Sequence, residues 1–309
     1  MNYLLDDDID FGQYLDLTAH DVAVRPASFY IDDVVAHFHD YSAPLGAKTP
    51  WQKVGALVRF RSSEVTVWTG YNGHGKSLAL GMVALGFVAQ GQKICIASME
   101  MLPKVTLARM ARQAYATSKP DAEDIRDLFE TTANSVWLYD QQGMVNSEKV
   151  VGVVNYAARK LGCQHFIIDS LLKCGFGEDD YNGQKSFVDR LCTVARDTGI
   201  HIHLVCHSRK GKDEMTPPGK MDVRGASSIT DQADNVICTW RNKAKEHAIA
   251  EGNAHKVTND PDALLDVCKQ RNGEWEGRIK LWFDAASLQY VENQAGPRNI
   301  LNPRMYEST

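Results

Sequence analysis

The chain has 309 residues, 44% hydrophobic and 24% charged, an ordinary globular composition with room for one large domain or one domain and a small appendage. A formal net charge of −5 argues against a protein that coats nucleic acid with its whole surface; a local basic patch is still allowed, because screening isolates nearby charges. The longest apolar run, Ala79 to Ala89, is too short for a membrane span, and MNYLLDDDID has acids where a secretory signal needs a basic and an apolar segment.

Residues 1 to about 29 are mixed acidic and polar and read as a lead-in, with the Asp6-Asp7-Asp8 run solvated. Ile31 to Tyr41 places Ile31, Val34, Val35 and Phe38 on one helical face, which suits packing on its own domain or docking on a neighbouring subunit. Ser42 to Pro50, with Pro44, Gly46 and Pro50, reads as a linker. From Glu64 the pattern becomes a strand–helix alternation. Val65 to Thr69 predicts a strand, Lys76 to Gln90 a helix, Lys93 to Ser98 a strand, and Pro103 to Thr117 a helix with proline at its start. Strands follow at Val136 to Asp140, His165 to Asp169 and His201 to Cys206, with helices at Glu148 to Leu161 and about Lys185 to Thr198 between them. After Asn235 the chain reads as strands and turns, with strands at Val236 to Trp240, Leu264 to Lys269, Gly277 to Phe283 and Leu288 to Val291. The fold expected is a doubly wound α/β domain, its sheet mostly parallel, with helices on both faces and a β-rich C-terminal part. Seven cysteines, an odd number without a CxxC pair, argue against a disulfide framework or zinc module and for a reducing, cytoplasmic setting.

Gly70-Tyr71-Asn72-Gly73-His74-Gly75-Lys76-Ser77 fits GxxxxGK[ST] between a strand and a helix, the context that a phosphate-binding P-loop requires. Its glycines let backbone N–H groups close around phosphate oxygens, the helix adds its positive dipole end, and Lys76 supplies a full charge. Ser77 is placed to bind Mg²⁺ through its hydroxyl, so ATP with magnesium is the expected cofactor pair. An acid on the magnesium side comes from Asp169, which ends the apolar strand HFIID. Glu100 lies just past the second strand, on the sheet edge that carries the P-loop. Two roles fit it equally: a base for the attacking water, or an acid stabilised by a helix N-terminus. His201 and His203 face one way on their strand, but no further ligands stand at metal-binding spacing, so they read as packed strand residues.

Taken together, GYNGHGKS, SMEM with its following Ala-Arg-Met helix, HFIIDS, HIHLVCHSRK, DVRGASSITDQADNVICTWRN and VCKQRNGEWEG resemble the ATPase domain of ring-shaped replicative DNA helicases, the DnaB, Twinkle and phage primase–helicase type. The likeness covers roughly residues 50 to 292 and implies a RecA-like P-loop NTPase. It casts Glu100 as catalytic base, Asp169 as the magnesium-side acid and His207 as the polar group that senses the γ-phosphate. Lys269 and Arg271 match the family's pair of cationic fingers, which reach ATP on the adjacent subunit. Alternate residues on a strand point the same way, so both cations can reach one target while Gln270 faces elsewhere. Such fingers are worth roughly 10³ to 10⁵ in rate.

Further expectations follow from the resemblance. Its implied assembly is a homo-oligomeric ring, most simply a hexamer, translocating on single-stranded DNA, with the 31–41 helix docking on the next subunit. Two polar segments, Lys173 to Lys185 and Arg209 to Arg224, match loops that line the central channel. The second offers Arg209, Lys210, Lys212, Lys220 and Arg224 to the DNA backbone, with no base-reading motif. Residues 1–50 then form an N-terminal extension, 51–292 the ATPase domain and 293–309 a tail. Barely fifty residues precede the core, so primase activity is expected from a separate primase or polymerase partner, and a phage replication protein fits the brevity. Two rivals share the core: a RecA or RadA-like recombination filament, and a non-motor assembly switch.

Overall fold

Val65–Thr69, Ile94–Ser98, His165–Asp169 and His201–Val205 are each buried at every position. Strands of this kind need cover on both faces and belong inside a parallel sheet. The computed structural model describes residues 10–14, 26–39, 46–55, 57–177, 179–209, 213–225 and 227–294. Its strands in chain order are β1 (Ala47–Lys48), β2 (Arg59–Phe60), β3 (Val65–Thr69), β4 (Ile94–Ser98), β5 (Val136–Leu138), β6 (His165–Asp169) and β7 (His201–Val205). The last four are β8 (Asn235–Arg241), β9 (Ala263–Gln270), β10 (Gly277–Asp284) and β11 (Gln289–Val291). The α-helices run from α1 (Ile31–His39) and α2 (Gln52–Gly55) to α3 (Lys76–Val88), α4 (Pro103–Ala114) and α5 (Ala122–Thr131). They continue with α6 (Ser147–Arg159), α7 (Tyr181–Thr198), α8 (Ser228–Gln232) and α9 (Lys243–Ala250).

Among the described residues nine strands form one sheet in the order β11-β10-β9-β8-β3-β7-β6-β4-β5, while β1 and β2 pair separately. From β8 to β5 every neighbour is parallel; β9, β10 and β11 continue antiparallel. Period-two alternation across β3 divides the interior into two cores. Val65 and Val67 meet α6 and α7 through Val150, Val154, Phe187 and Leu191. Trp68 points the other way, into Leu80, Val83 and Phe87 of α3 and Met110 of α4. The result is the doubly wound α/β arrangement that the alternation predicts, with its β-rich part joined to the same sheet.

That β-rich part is tied to the helices by directed bonds. Trp51 Nε1 donates to Tyr290 O at 2.8 Å, and the Glu292 carboxylate accepts the Gln52 and Lys53 N–H groups at 2.8 and 2.6 Å. Arg112 of α4 donates to Ala285 O and Ala286 O.

Among the described residues, four helices stand where the sequence predicts none: the short α2 and α8, and the longer α5 and α9. Helix α5 starts on a capping box in which Asp121 and Asp124 exchange side-chain bonds, and α9 starts where Asn242 accepts from Lys245 N–H. Helix α7 begins at Tyr181, capped by Asp180 on Gly183 N–H, so Lys185 is helical and the polar segment after β6 is shorter than its predicted span. On α1, Ile31, Val34 and Val35 are each more than half exposed. All seven cysteines are free. Among the described residues no helix is long and apolar enough to cross a membrane.

Candidate nucleotide site

Between the end of β3 at Thr69 and the start of α3 at Lys76 the backbone must turn so that its N–H groups converge. Gly70 takes φ +144° and Gly75 φ +85°, both in the left-handed region that favours glycine. Space forbids a side chain as well. A Cβ on Gly70 would lie 2.3 Å from Thr239 O of β8, and one on Gly75 would lie 1.9 Å from Tyr290 Oη. Tyr71 is buried, Asn72 and Gly73 form the exposed crest, and the His74 ring is buried behind the loop.

Lys76 opens α3, yet its ammonium folds back, donating to Gly70 O and Tyr71 O at 2.9 Å each. Burial pushes its pKa down, opposed by the Asp169 carboxylate. Next to it, Ser77 Oγ donates to Asp169 Oδ2 at 2.6 Å. Burial raises the Asp169 pKa, and the Ser77 bond opposes that shift. A hydroxyl beside a carboxylate is a hard-oxygen pair, the donor chemistry that magnesium takes together with phosphate oxygens and water. Among the described residues no group of three or more His, Cys, Asp or Glu could hold a metal.

Parallel pairing brings Ser98 of β4 level with Asp169 of β6, so Glu100 and Asp169 leave the sheet on the same edge. Glu100 Oε1 lies 3.7 Å from His207 Nε2 and accepts from Ser170 Oγ at 2.8 Å. The neighbouring imidazole, assisted by the Ser170 bond, outweighs burial and pulls the Glu100 pKa to about 2. Such a carboxylate is ionised throughout the neutral range and is a weak proton acceptor, better suited to orient a water than to strip it.

Lys76, Ser77, Glu100, Asp169 and His207 line one cleft of about 240 Å³. Arg109 of α4 lines it too, with Nη1 2.9 Å from Met101 Sδ. In the sequence Arg109 is visible only within the Ala-Arg-Met pattern, where spacing assigns it no task. A second cavity of about 210 Å³ shares Gly73, Gly75 and Leu78 with the first and is walled by Arg241, Phe283 and Tyr290. No local motif marks Tyr290 or Arg241, since only the folded sheet brings them to the P-loop.

Lys269 and Arg271 do not join this cleft. Lys269 Nζ donates to Thr230 O, Asp231 O and Ala233 O, at 2.9, 3.0 and 2.7 Å, closing the C-terminal end of α8. Arg271 pairs with Asp234 at 2.8 Å and also donates to Asp231 O and Gln232 O. Gln270 turns the other way, to Leu57 O and Trp275 O. Arg271 N–H bonds Asp234 O, while Asp234 N–H bonds Val65 O, so the arginine stands level with the start of β3. The P-loop begins after the far end of that strand, roughly 16 Å away at 3.3 Å per residue.

The segment after β7 returns on itself. Ser208 bridges Val223 antiparallel, Arg224 N–H donates to His207 O and Arg209 N–H to Asp222 O. Arg209 and Lys220 are exposed and Arg224 half-buried, whereas Lys210 and Lys212 lie outside the described residues. His201 and His203 are fully buried on the face of β7 that also meets Thr66 and Trp68.

Known proteins share this fold and its family. The family described as "DnaB-like helicase C terminal domain" matches residues 46–292. Among solved structures, one described as an ATPase domain superposes with a TM-score of 0.72 at 15% sequence identity, covering 87% of this chain and 100% of that one. A second, "The Structure Of A DnaB-Like Replicative Helicase And Its Interactions With Primase", gives a TM-score of 0.69 at 14% identity, over 89% of this chain and 69% of that one. At such identities the superpositions establish a shared fold.

Proposed function

Because the chain belongs to the DnaB-like helicase C-terminal domain family, we propose that it is an ATP-hydrolysing DNA motor that works as a ring, most simply a hexamer, on single-stranded DNA. The observation that carries this reading is the division of charge. Lys76, Ser77, Asp169 and Glu100 gather at one sheet edge, while Lys269 and Arg271 stand at the other, beyond reach of the same chain's cleft. A site so divided is completed by placing the finger edge of one subunit against the P-loop edge of the next.

In this mechanism Lys76 exchanges its two carbonyl partners for phosphate oxygens, a stronger charge-assisted contact. Ser77 and Asp169 would hold magnesium, whose charge, when bound, offsets that of the outer phosphates. Glu100 orients the attacking water, His207 beside it lies where the terminal phosphate is sensed, and Arg109 adds positive charge to the same wall. In this reading the nucleoside enters the cavity of about 210 Å³ between Arg241 and Tyr290, which adjoins the P-loop at Gly73 and Gly75. Arg271 of a neighbouring subunit supplies planar donors to spread negative charge, with Lys269 beside it. The exposed face of α1 serves as the link to that neighbour. Arg209, Lys220 and Arg224, with Lys210 and Lys212, grip the DNA backbone. One of the similar structures is described with its primase interactions, and a separate primase is the corresponding partner proposed here.

Forked DNA with ATP and magnesium tests the reading. Strand separation should occur with the unaltered chain and vanish with Lys76→Ala, and electron microscopy should show rings. Hydrolysis without DNA stimulation or strand separation would contradict it.

A further inference from the structure

His74 lies inside the P-loop but does not line the phosphate cleft; its ring is 1% exposed. Nδ1 accepts the Arg241 N–H at 3.1 Å, so that nitrogen carries no proton, and the proton of the neutral ring must sit on Nε2. Nε2 donates to Glu214 Oε2 at 3.3 Å. Burial lowers the His74 pKa and keeps the ring neutral, which preserves this assignment. Glu214 belongs to the 209–224 segment, and its carbonyl is pinned by Trp240 Nε1 at 3.0 Å. The P-loop and the basic segment are therefore joined at Glu214.

At the neck there is a second joint. Ser208 N–H donates to Gly70 O at 3.1 Å, and Ser208 Oγ meets Thr69 Oγ1 at 3.0 Å. Gly70 O is one of the two carbonyls on which Lys76 rests, and the other belongs to Tyr71, whose ring stands edge-on to His74 at 5.3 Å. A phosphate that draws Lys76 away releases both carbonyls at once; one bonds the segment's neck directly, and the other belongs to the residue packed on His74. Joints whose bonds are either made or broken pass on small shifts in discrete steps.

We propose that the His74–Glu214 hydrogen bond transmits phosphate occupancy of the P-loop to the 209–224 segment, making both of them positioning residues for DNA-dependent turnover. This rests on the reading of that segment as the DNA contact. Coupling between two sites is reciprocal, so nucleotide must change DNA affinity by the factor with which DNA changes nucleotide affinity.

The test uses the full chain and a fluorescent oligothymidylate, titrated with and without a non-hydrolysable ATP analogue and magnesium. The ratio of the two affinities is the coupling factor, and any uniform effect of a lost charge cancels from it. Glu214 is exposed, so its variants retain the fold. Glu214→Ala should cut the factor by about fivefold or more, the lower end of ordinary site–site coupling. Glu214→Gln keeps an acceptor oxygen for Nε2–H and should restore most of it. An unaltered factor in Glu214→Ala, or equal losses in the two variants, would overturn the link. If the unaltered chain binds the oligonucleotide equally with and without nucleotide, the proposed function itself fails, a result distinct from failure of the link alone.

Discussion

Glu100 is ionised in the resting cleft, yet the same contacts that ionise it weaken it as a base. His207 and Ser170 both stabilise its charge, and neither contact needs nucleotide to form. Substitution by glutamine keeps the shape and the Ser170 bond while removing the charge. Glu100→Gln is accordingly expected to bind ATP with little change and to hydrolyse it about 10² to 10⁴ times more slowly, the loss expected when the group that positions the attacking water is removed. Nucleotide fluorescence and steady-state phosphate release measure the two quantities separately. Equal turnover in variant and parent would leave Glu100 as a helix-end acid, the other role that its position in the sequence allows.

At the scale of elements, β6 and β7 carry a ladder of neutral imidazoles. Trp68 Nε1 donates to His203 Nδ1 at 3.1 Å, His203 Nε2 lies 3.3 Å from His165 Nδ1, and His165 stacks on Phe87 at 3.8 Å. His201 is held between Thr66 Oγ1 and Arg61 O. Burial pushes the His201 pKa down to about 4 and those of His165 and His203 well down, from an ordinary 6.5. Between those values the unfolded chain binds protons that the folded chain refuses. Stability is therefore complete above about pH 6.5 and is lost as the pH falls toward 4. Thermal melts should show this acid-side decline, and His165→Phe, which preserves the stack on Phe87, should flatten it. A melting temperature level across that range would contradict the neutral ladder.

How much of this is legible in the sequence varies by element for physical reasons. The P-loop and the strands β3, β4, β6 and β7 declare themselves because their signals are local: glycines at fixed offsets and short apolar runs. Helices α5 and α9 also have local signals, the Asp121-x-x-Asp124 box and Asn242 ahead of Lys245, but α9 lies between two strands of a region that reads as all β. Lys185 reads as the end of a loop because Asp180, the cap of α7, sits in an acidic run that resembles solvated chain. Arg109, Tyr290 and the His74–Glu214 pair are out of reach, since contacts across 140 residues follow from topology, and no spacing rule encodes them.

For the whole molecule, the separation of Lys269 and Arg271 from the cleft and the exposed face of α1 both fit the neighbour proposed above. Ile31, Val34 and Val35 expose apolar surface on a short helix that would be marginal alone in water. Replacing Val34 and Val35 by aspartate should leave the far-ultraviolet spectrum of the chain intact and shift its mass in light scattering toward the monomer. Full assembly by that variant would remove α1 from the interface. In the proposed ring the cleft is finished by the cations of another copy. Mixing Arg271→Ala subunits with Lys76→Ala subunits under conditions of demonstrated exchange puts this to the test. Each alone should be inactive, and the mixture should recover part of the ATPase, because an intact P-loop can meet an intact finger across a boundary. No recovery, or full hydrolysis by Arg271→Ala alone, would contradict the account.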